Sequence, residues 1–151
     1  MTKCVPQALE HNKALEVLDL SWTTITLDGA LNLAQMLQCD NGLNSLQLMG
    51  NTIGFAGALA IINAVHNRAF KFLGLAGNQV GEDARDSELG ESIRRCAGLR
   101  AIDLRNNAIP LSAANEISAA LIENNAQLGT VKFCSEVAQE DEDRTIGYLY
   151  L

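Results

Sequence analysis

The 151-residue sequence lacks most of the features that announce a chemical activity. Its longest apolar stretches, such as Ala56 to Val65, fall well short of the span a bilayer requires. No secretory leader is visible, because Met1-Thr2-Lys3-Cys4-Val5-Pro6 runs straight into helix-like sequence. An intracellular, cytoplasmic protein without a membrane partner is the expectation. The four cysteines, Cys4, Cys39, Cys96 and Cys134, include no CxxC pair. Free thiols that pack as small apolar groups are therefore expected, rather than a zinc site or a disulfide framework. Histidine is scarce: His11 and His66 stand far apart, and no HxxxH, HExxH or DxDxDG pattern exists. There is no G-x-S-x-G turn for a nucleophile. Gly50-Asn51 and Gly77-Asn78 lack the GK[ST] ending of a phosphate loop. These absences argue against an enzyme, a catalytic residue, a metal and a cofactor.

Basic residues are also few. Eleven Lys and Arg face eighteen Asp and Glu, a formal charge of −7. The excess sits in two blocks. Glu82, Asp83, Arg85, Asp86, Glu88 and Glu91 form one; Glu136, Glu140, Asp141, Glu142, Asp143 and Arg144 form the other. Polyphosphate binding requires clustered Lys and Arg on one face, so nucleic acid is not an expected partner.

What the sequence does contain is a repeat. The pattern L-x-x-L-x-L-x-x-N-x-I runs through Leu15-Leu18-Leu20-Thr23-Ile25, then Leu43-Leu46-Leu48-Asn51-Ile53. It returns as Phe70-Leu73-Leu75-Asn78-Val80 and Leu99-Ile102-Leu104-Asn107-Ile109, and decays in Leu128-Val131-Phe133-Glu136. The spacings are 28, 27, 29 and 29 residues. After each motif come small residues, as in Gly29-Ala30, Gly57-Ala58 and Ala113-Ala114, and then helical periodicity. Counting back from each repeat start, the sixth position is Leu37, Ala64, Ile93 and Ile122, and the tenth is Leu33, Ala60, Leu89 and Ser118. A four-residue step keeps these on one helical face.

The pattern resembles the leucine-rich-repeat family, and its period resembles the ribonuclease-inhibitor-like class. The resemblance covers roughly residues 8 to 135. It implies an α/β solenoid, a right-handed horseshoe segment with about five parallel inner strands and outer helices. Parallel strands need a crossover, which the helix supplies. The expected organisation is a solenoid over 1–135, with a partial repeat at 1–14 and repeats starting at 15, 43, 70, 99 and 128. Residues 136–151 are expected to form an acidic loop and an apolar cap, with Thr145 to Leu151 covering the last repeat. Asn51, Asn78 and Asn107 are expected to satisfy backbone groups as a stacked ladder. Asp28 and Ser112 read as helix N-caps. The third helix, about 82 to 96, breaks the small-residue pattern with Arg85-Asp86; it is read as a solvated face or as a second contact surface. Residues 7–14 match the end of a repeat helix, so the N-terminal end is expected to be uncapped, joined to upstream repeats or in contact with something.

Residues between the leucines should line the open, concave side of the sheet. Those expected to bind a protein or peptide are Trp22, Asp19, Gln47, Met49, Phe72, Asp103, Arg105 and Lys132. Cys134 maps to the same side and is the thiol expected to react. Trp22 has two readings, an interface anchor or a side chain packed on an upstream repeat. In relatives of this class the scaffold serves as an inhibitor, an actin-filament cap, an immune sensor region or an activator of Ran GTPase. All act through surfaces. A non-catalytic binding module is the leading expectation. The alternatives are a GTPase-activating scaffold, with Arg105, Asn106 and Asn107 on one rim, and a structural or oligomerisation unit.

Overall fold

Leucine at alternate positions drives each motif into a short strand, because one set of side chains must leave water while the other faces it. A computed structural model of the chain describes residues 9, 11–39, 41–81, 86–123 and 130–132. The strands are β1 (Val17–Asp19), β2 (Ser45–Gln47), β3 (Phe72–Gly74), β4 (Ala101–Asp103) and β5 (Thr130–Lys132). The helices between them are α1 (Leu27–Gln38), α2 (Gly54–Val65), α3 (Asp86–Arg94) and α4 (Leu111–Glu123). The sheet is parallel throughout, in the order β1-β2-β3-β4-β5. Leu18, Leu46, Leu73, Ile102 and Val131 align across it without a slip. Equivalent positions of successive units are therefore side by side, and the repeat phase becomes columns on the sheet. Each helix packs only on its sequence neighbours among the described elements.

The core lies between sheet and helices. Leu46, Leu73 and Ile102 meet Leu33, Leu37, Ile61, Ile62, Leu89 and Ile93, all buried. Each such side chain contributes about 1.5–3 kcal/mol by leaving water. The small residues Gly29, Ala30, Gly57, Ala58, Ala113 and Ala114 are buried where the helices begin, which lets the helices approach the sheet and each other. The first unit is less enclosed. Leu15, Leu18 and Leu20 are only partly buried, and with Leu9, from the chain that precedes β1, they pack against the edge of the buried core.

Two corrections concern helix starts. Helix α1 begins at Leu27 with Thr26 as N-cap, and no side chain caps it. Ala30 N–H donates to Thr26 O, so Asp28 stands inside the first turn. There its charge favours the positive end of the helix without capping a single N–H. Likewise Ala114 N–H donates to Pro110 O, and α4 begins at Leu111, which puts Ser112 in its first turn. Backbone turn geometry, not the nearest polar side chain, decides where these helices open. Of the helix expected at 82 to 96, residues 86–94 are helical; 82–85 lie outside the described residues. So do residues 1–8, 124–129 and 133–151, and with them the expected terminal loop and cap, Cys134 and Glu136.

The turns after the strands are held by the asparagines. Asn51 Oδ1 accepts the N–H groups of Thr23 (3.1 Å) and Ile25 (2.9 Å), while its Nδ2 donates to Leu20 O and Leu48 O. Asn107 Oδ1 accepts from Asn78 N (2.7 Å) and Val80 N (3.2 Å), and its Nδ2 donates to Leu75 O and Leu104 O. Asn78 donates to Leu48 O, Leu75 O and Ala76 O. Its own Oδ1 is buried without a partner. Each asparagine thus serves its own turn and that of the preceding unit, and one rung of the ladder is half made.

At the other end of the units, Arg68 closes helix α1. Its Nη1 donates to Leu37 O (2.7 Å) and Cys39 O (2.9 Å). Its Nη2 donates to Asn41 O (3.0 Å), Asn41 Oδ1 (2.9 Å) and Leu43 O (2.9 Å). A guanidinium from the second unit therefore takes up the carbonyls that the first unit's helix leaves open at its C-terminus.

Candidate binding face of the sheet

The side of the sheet away from the helices carries the alternate strand residues. At the third position of the repeat stand Val17, Ser45, Phe72 and Ala101; at the fifth, Asp19, Gln47, Gly74 and Asp103; at the seventh, Ser21, Met49, Ala76 and Arg105. The eighth position holds Trp22, Gly50, Gly77 and Asn106. All four take left-handed backbone, with φ of 59°, 69°, 64° and 56°. The turn demands that conformation in every described unit, and glycine and asparagine meet it at low cost. A tryptophan does so only under strain, on the order of 1–2 kcal/mol.

Trp22 is 73% exposed. Its N–H donates to Met49 O (2.8 Å), which fixes the backbone. Its indole lies over Gly50: a Cβ there would fall on indole carbons Cε3, Cδ2 and Cζ3. One face of the ring is seated on the next unit's glycine while most of the side chain remains in water. The same arrangement recurs in the middle of the sheet, where a Cβ at Gly74 would collide with the Gln47 carboxamide and crowd Phe72 Cε1. Gly74 and Ala76 are buried, so Gln47, Phe72 and Met49, all half-buried, stand around a floor of small residues.

The charges are arranged by unit. Asp103 is buried and binds Arg105 in two ways, Nε to Oδ1 at 2.9 Å and Nη2 to Oδ2 at 2.7 Å. Asp103 Oδ1 also accepts Arg105 N–H at 3.2 Å. In the first unit Asp19 Oδ1 accepts Ser21 N–H at 2.9 Å, and Asp19 is exposed. Its pKa is held below the usual aspartate value by hydrogen bonds from the Ser21 side chain and N–H. At the rim, Glu16 approaches Lys71 at 4.0 Å and accepts from Asn44 Nδ2 at 3.1 Å. Of the residues expected to bind, Trp22, Asp19, Gln47, Met49, Phe72, Asp103 and Arg105 share this face. Lys132 occupies the β5 place opposite Asp103, but only its backbone is described.

The helical side is different. A cleft of about 370 Å³ is lined by Leu59, Glu88, Glu91, Ser92, Arg94, Arg95 and Glu116. Glu91 pairs with Arg94 (2.6 Å) and Arg95 (3.1 Å), and these hydrogen bonds lower its pKa. The pairs offset one another's charge, which suits a solvated face. Cys96 is a free, buried thiol whose pKa burial pushes up to about 12, so it is chemically inert in the native state. Cys39 is also free. Among the described residues no group of His, Cys, Asp or Glu could hold a metal ion, and no helix is long and apolar enough to cross a membrane.

Strand, left-handed turn with its asparagine, and returning helix, repeated in phase along one parallel sheet, define a leucine-rich-repeat solenoid. Residues 11–34 and 42–61 match the family model described as Leucine Rich repeat. The match falls on the first two units, whose geometry the third and fourth strands continue. No curated protein matches the chain. Leucine-rich repeats generally mediate contact between proteins.

Proposed function

We propose that the chain is a non-catalytic, intracellular binding module of the ribonuclease-inhibitor-like class that takes a protein or peptide on the open face of its sheet. The class rests on units of 27 to 29 residues, each with its own helix rather than an extended return. The observation that carries the binding reading is Trp22. It is a large aromatic held in water, at backbone strain, on the face where neighbouring units place small residues. Strain kept at an exposed position is characteristic of functional surfaces. Arg105 is occupied by Asp103, which gives the GTPase-activating alternative no support.

A random-peptide display library selected on the intact chain tests the reading. Selected peptides should lose binding on Met49→Glu and Trp22→Asn, which change the open face, and keep it on Asn115→Glu, which changes the exposed surface of α4. Peptides indifferent to both open-face variants would place the binding surface elsewhere.

A further inference from the structure

The first and fourth units carry the same device in two states. In the fourth, the aspartate at the fifth position, Asp103, accepts the N–H of the residue two places on, and that residue's guanidinium closes on both carboxylate oxygens. In the first, Asp19 makes the same backbone bond to residue 21. Residue 21 is a serine, which brings no cation. Among the described residues Asp19 has no ion pair, and it faces water where Asp103 does not. The eighth position also differs. Where the fourth unit has Asn106, the first has Trp22, seated on Gly50 and 73% exposed.

We propose that this end of the open face is an arginine-binding subsite, in which a guanidinium from a partner peptide pairs with the Asp19 carboxylate and lies against the Trp22 indole. The proposal rests on the binding reading above and gives it a chemistry. Asp103 and Arg105 show within this molecule that a carboxylate so placed accepts a guanidinium through both oxygens. Serine at position 21, whose hydroxyl also bonds the Asp19 carboxylate, is far smaller than the arginine that stands at the corresponding place in the fourth unit. A planar guanidinium can pair in this forked way and stack on an aromatic ring at once; an ammonium cannot do both. At the rim of the same unit the carboxylate of Glu16 is exposed, held by Asn44 Nδ2 and by the long contact to Lys71, and adds to the attraction for a basic segment.

Trp22 is the single tryptophan of the chain, so its emission reports on this position alone. The test titrates the intact protein with hexa-arginine, hexa-lysine and hexa-glutamate, following Trp22 emission and the anisotropy of labelled peptide. Hexa-arginine should shift the emission saturably and bind more tightly than hexa-lysine, while hexa-glutamate should have no effect. Asp19→Asn should weaken hexa-arginine by about tenfold, and Trp22→Asn by about fivefold in anisotropy. Ser21→Arg should weaken it about tenfold as well, by filling the subsite from within as Arg105 does. Glu116→Gln removes an equal charge from the helical side and should leave binding unchanged. Unmoved Trp22 emission, hexa-lysine as tight as hexa-arginine, or equal losses in Asp19→Asn and Glu116→Gln would each overturn the proposal. Library peptides that still depend on Met49 would then leave the broader binding reading standing.

Discussion

Trp22 shows how far a single residue can be at odds with its position. The turn needs a left-handed residue, and the same place is filled elsewhere by Gly50, Gly77 and Asn106. Trp22→Asn imports the fourth unit's solution, so thermal unfolding should show stability unchanged or raised by up to about 1 kcal/mol. A clear loss would mean that the indole is a packing element, as the upstream-repeat reading has it. Gly50→Ala should do the reverse and cost about 1–3 kcal/mol, because it adds a Cβ at positive φ beneath the ring. The columns that place Trp22 beside Gly50 were legible in the sequence, since phase alone assigns them. The strain was legible only in part: Gly50, Gly77 and Asn106 are residue types that accept left-handed backbone, but that Trp22 adopts it too is shown only by its dihedral angle. The pairing of Asp103 with Arg105 was hidden for a similar reason. Each was visible as a residue on the open face, but their mutual bond depends on side-chain reach.

At the level of the element, the turn is held by side chains reaching between units. Asn107 supports two N–H groups of the preceding turn, whereas Asn78 has an acceptor that supports none. Asn107→Ala should therefore be the more damaging change, by about 1–2 kcal/mol over Asn78→Ala, since it leaves buried donors without partners. Urea unfolding of the two variants measures the difference. The ladder itself was readable from the recurring asparagine; the half-made rung was not, because it accompanies a backbone difference in the second turn that the motif does not encode. There the second left-handed residue falls at Gly54, while the other turns place it at Thr24, Gln79 and Ala108. Arg68 gave no sequence signal either, being one arginine in a loop outside the motif. With five hydrogen bonds to helix α1 and its loop, Arg68→Met should cost about 2–3 kcal/mol. Arg68→Lys should recover little of it, because an ammonium cannot span the same carbonyls.

For the whole molecule, contact between neighbours only makes stability a sum over units and the joints between them. Leu73 is fully buried with a strand on either side, while Leu18 is half-buried in the first strand. Leu73→Ala should cost about 3–5 kcal/mol and Leu18→Ala distinctly less, as read from denaturant midpoints. Equal costs would show that the first strand is enclosed as fully as the third. This grading from the first unit inward follows from stacking, which the period announced. The helix starts were misplaced by a residue or two because stacking says nothing about where a turn hands over to a helix.

The asparagine bridges also give the solenoid a direction. Thr23 and Ile25 are completed by Asn51, and Asn78 and Val80 by Asn107, in both cases from the unit that follows. During synthesis on the ribosome those two turns must therefore wait for about one further repeat to emerge before their amides find their acceptor. The first and third turns are finished by their successors, whereas the second, which meets the unpaired Asn78 Oδ1, closes without that help.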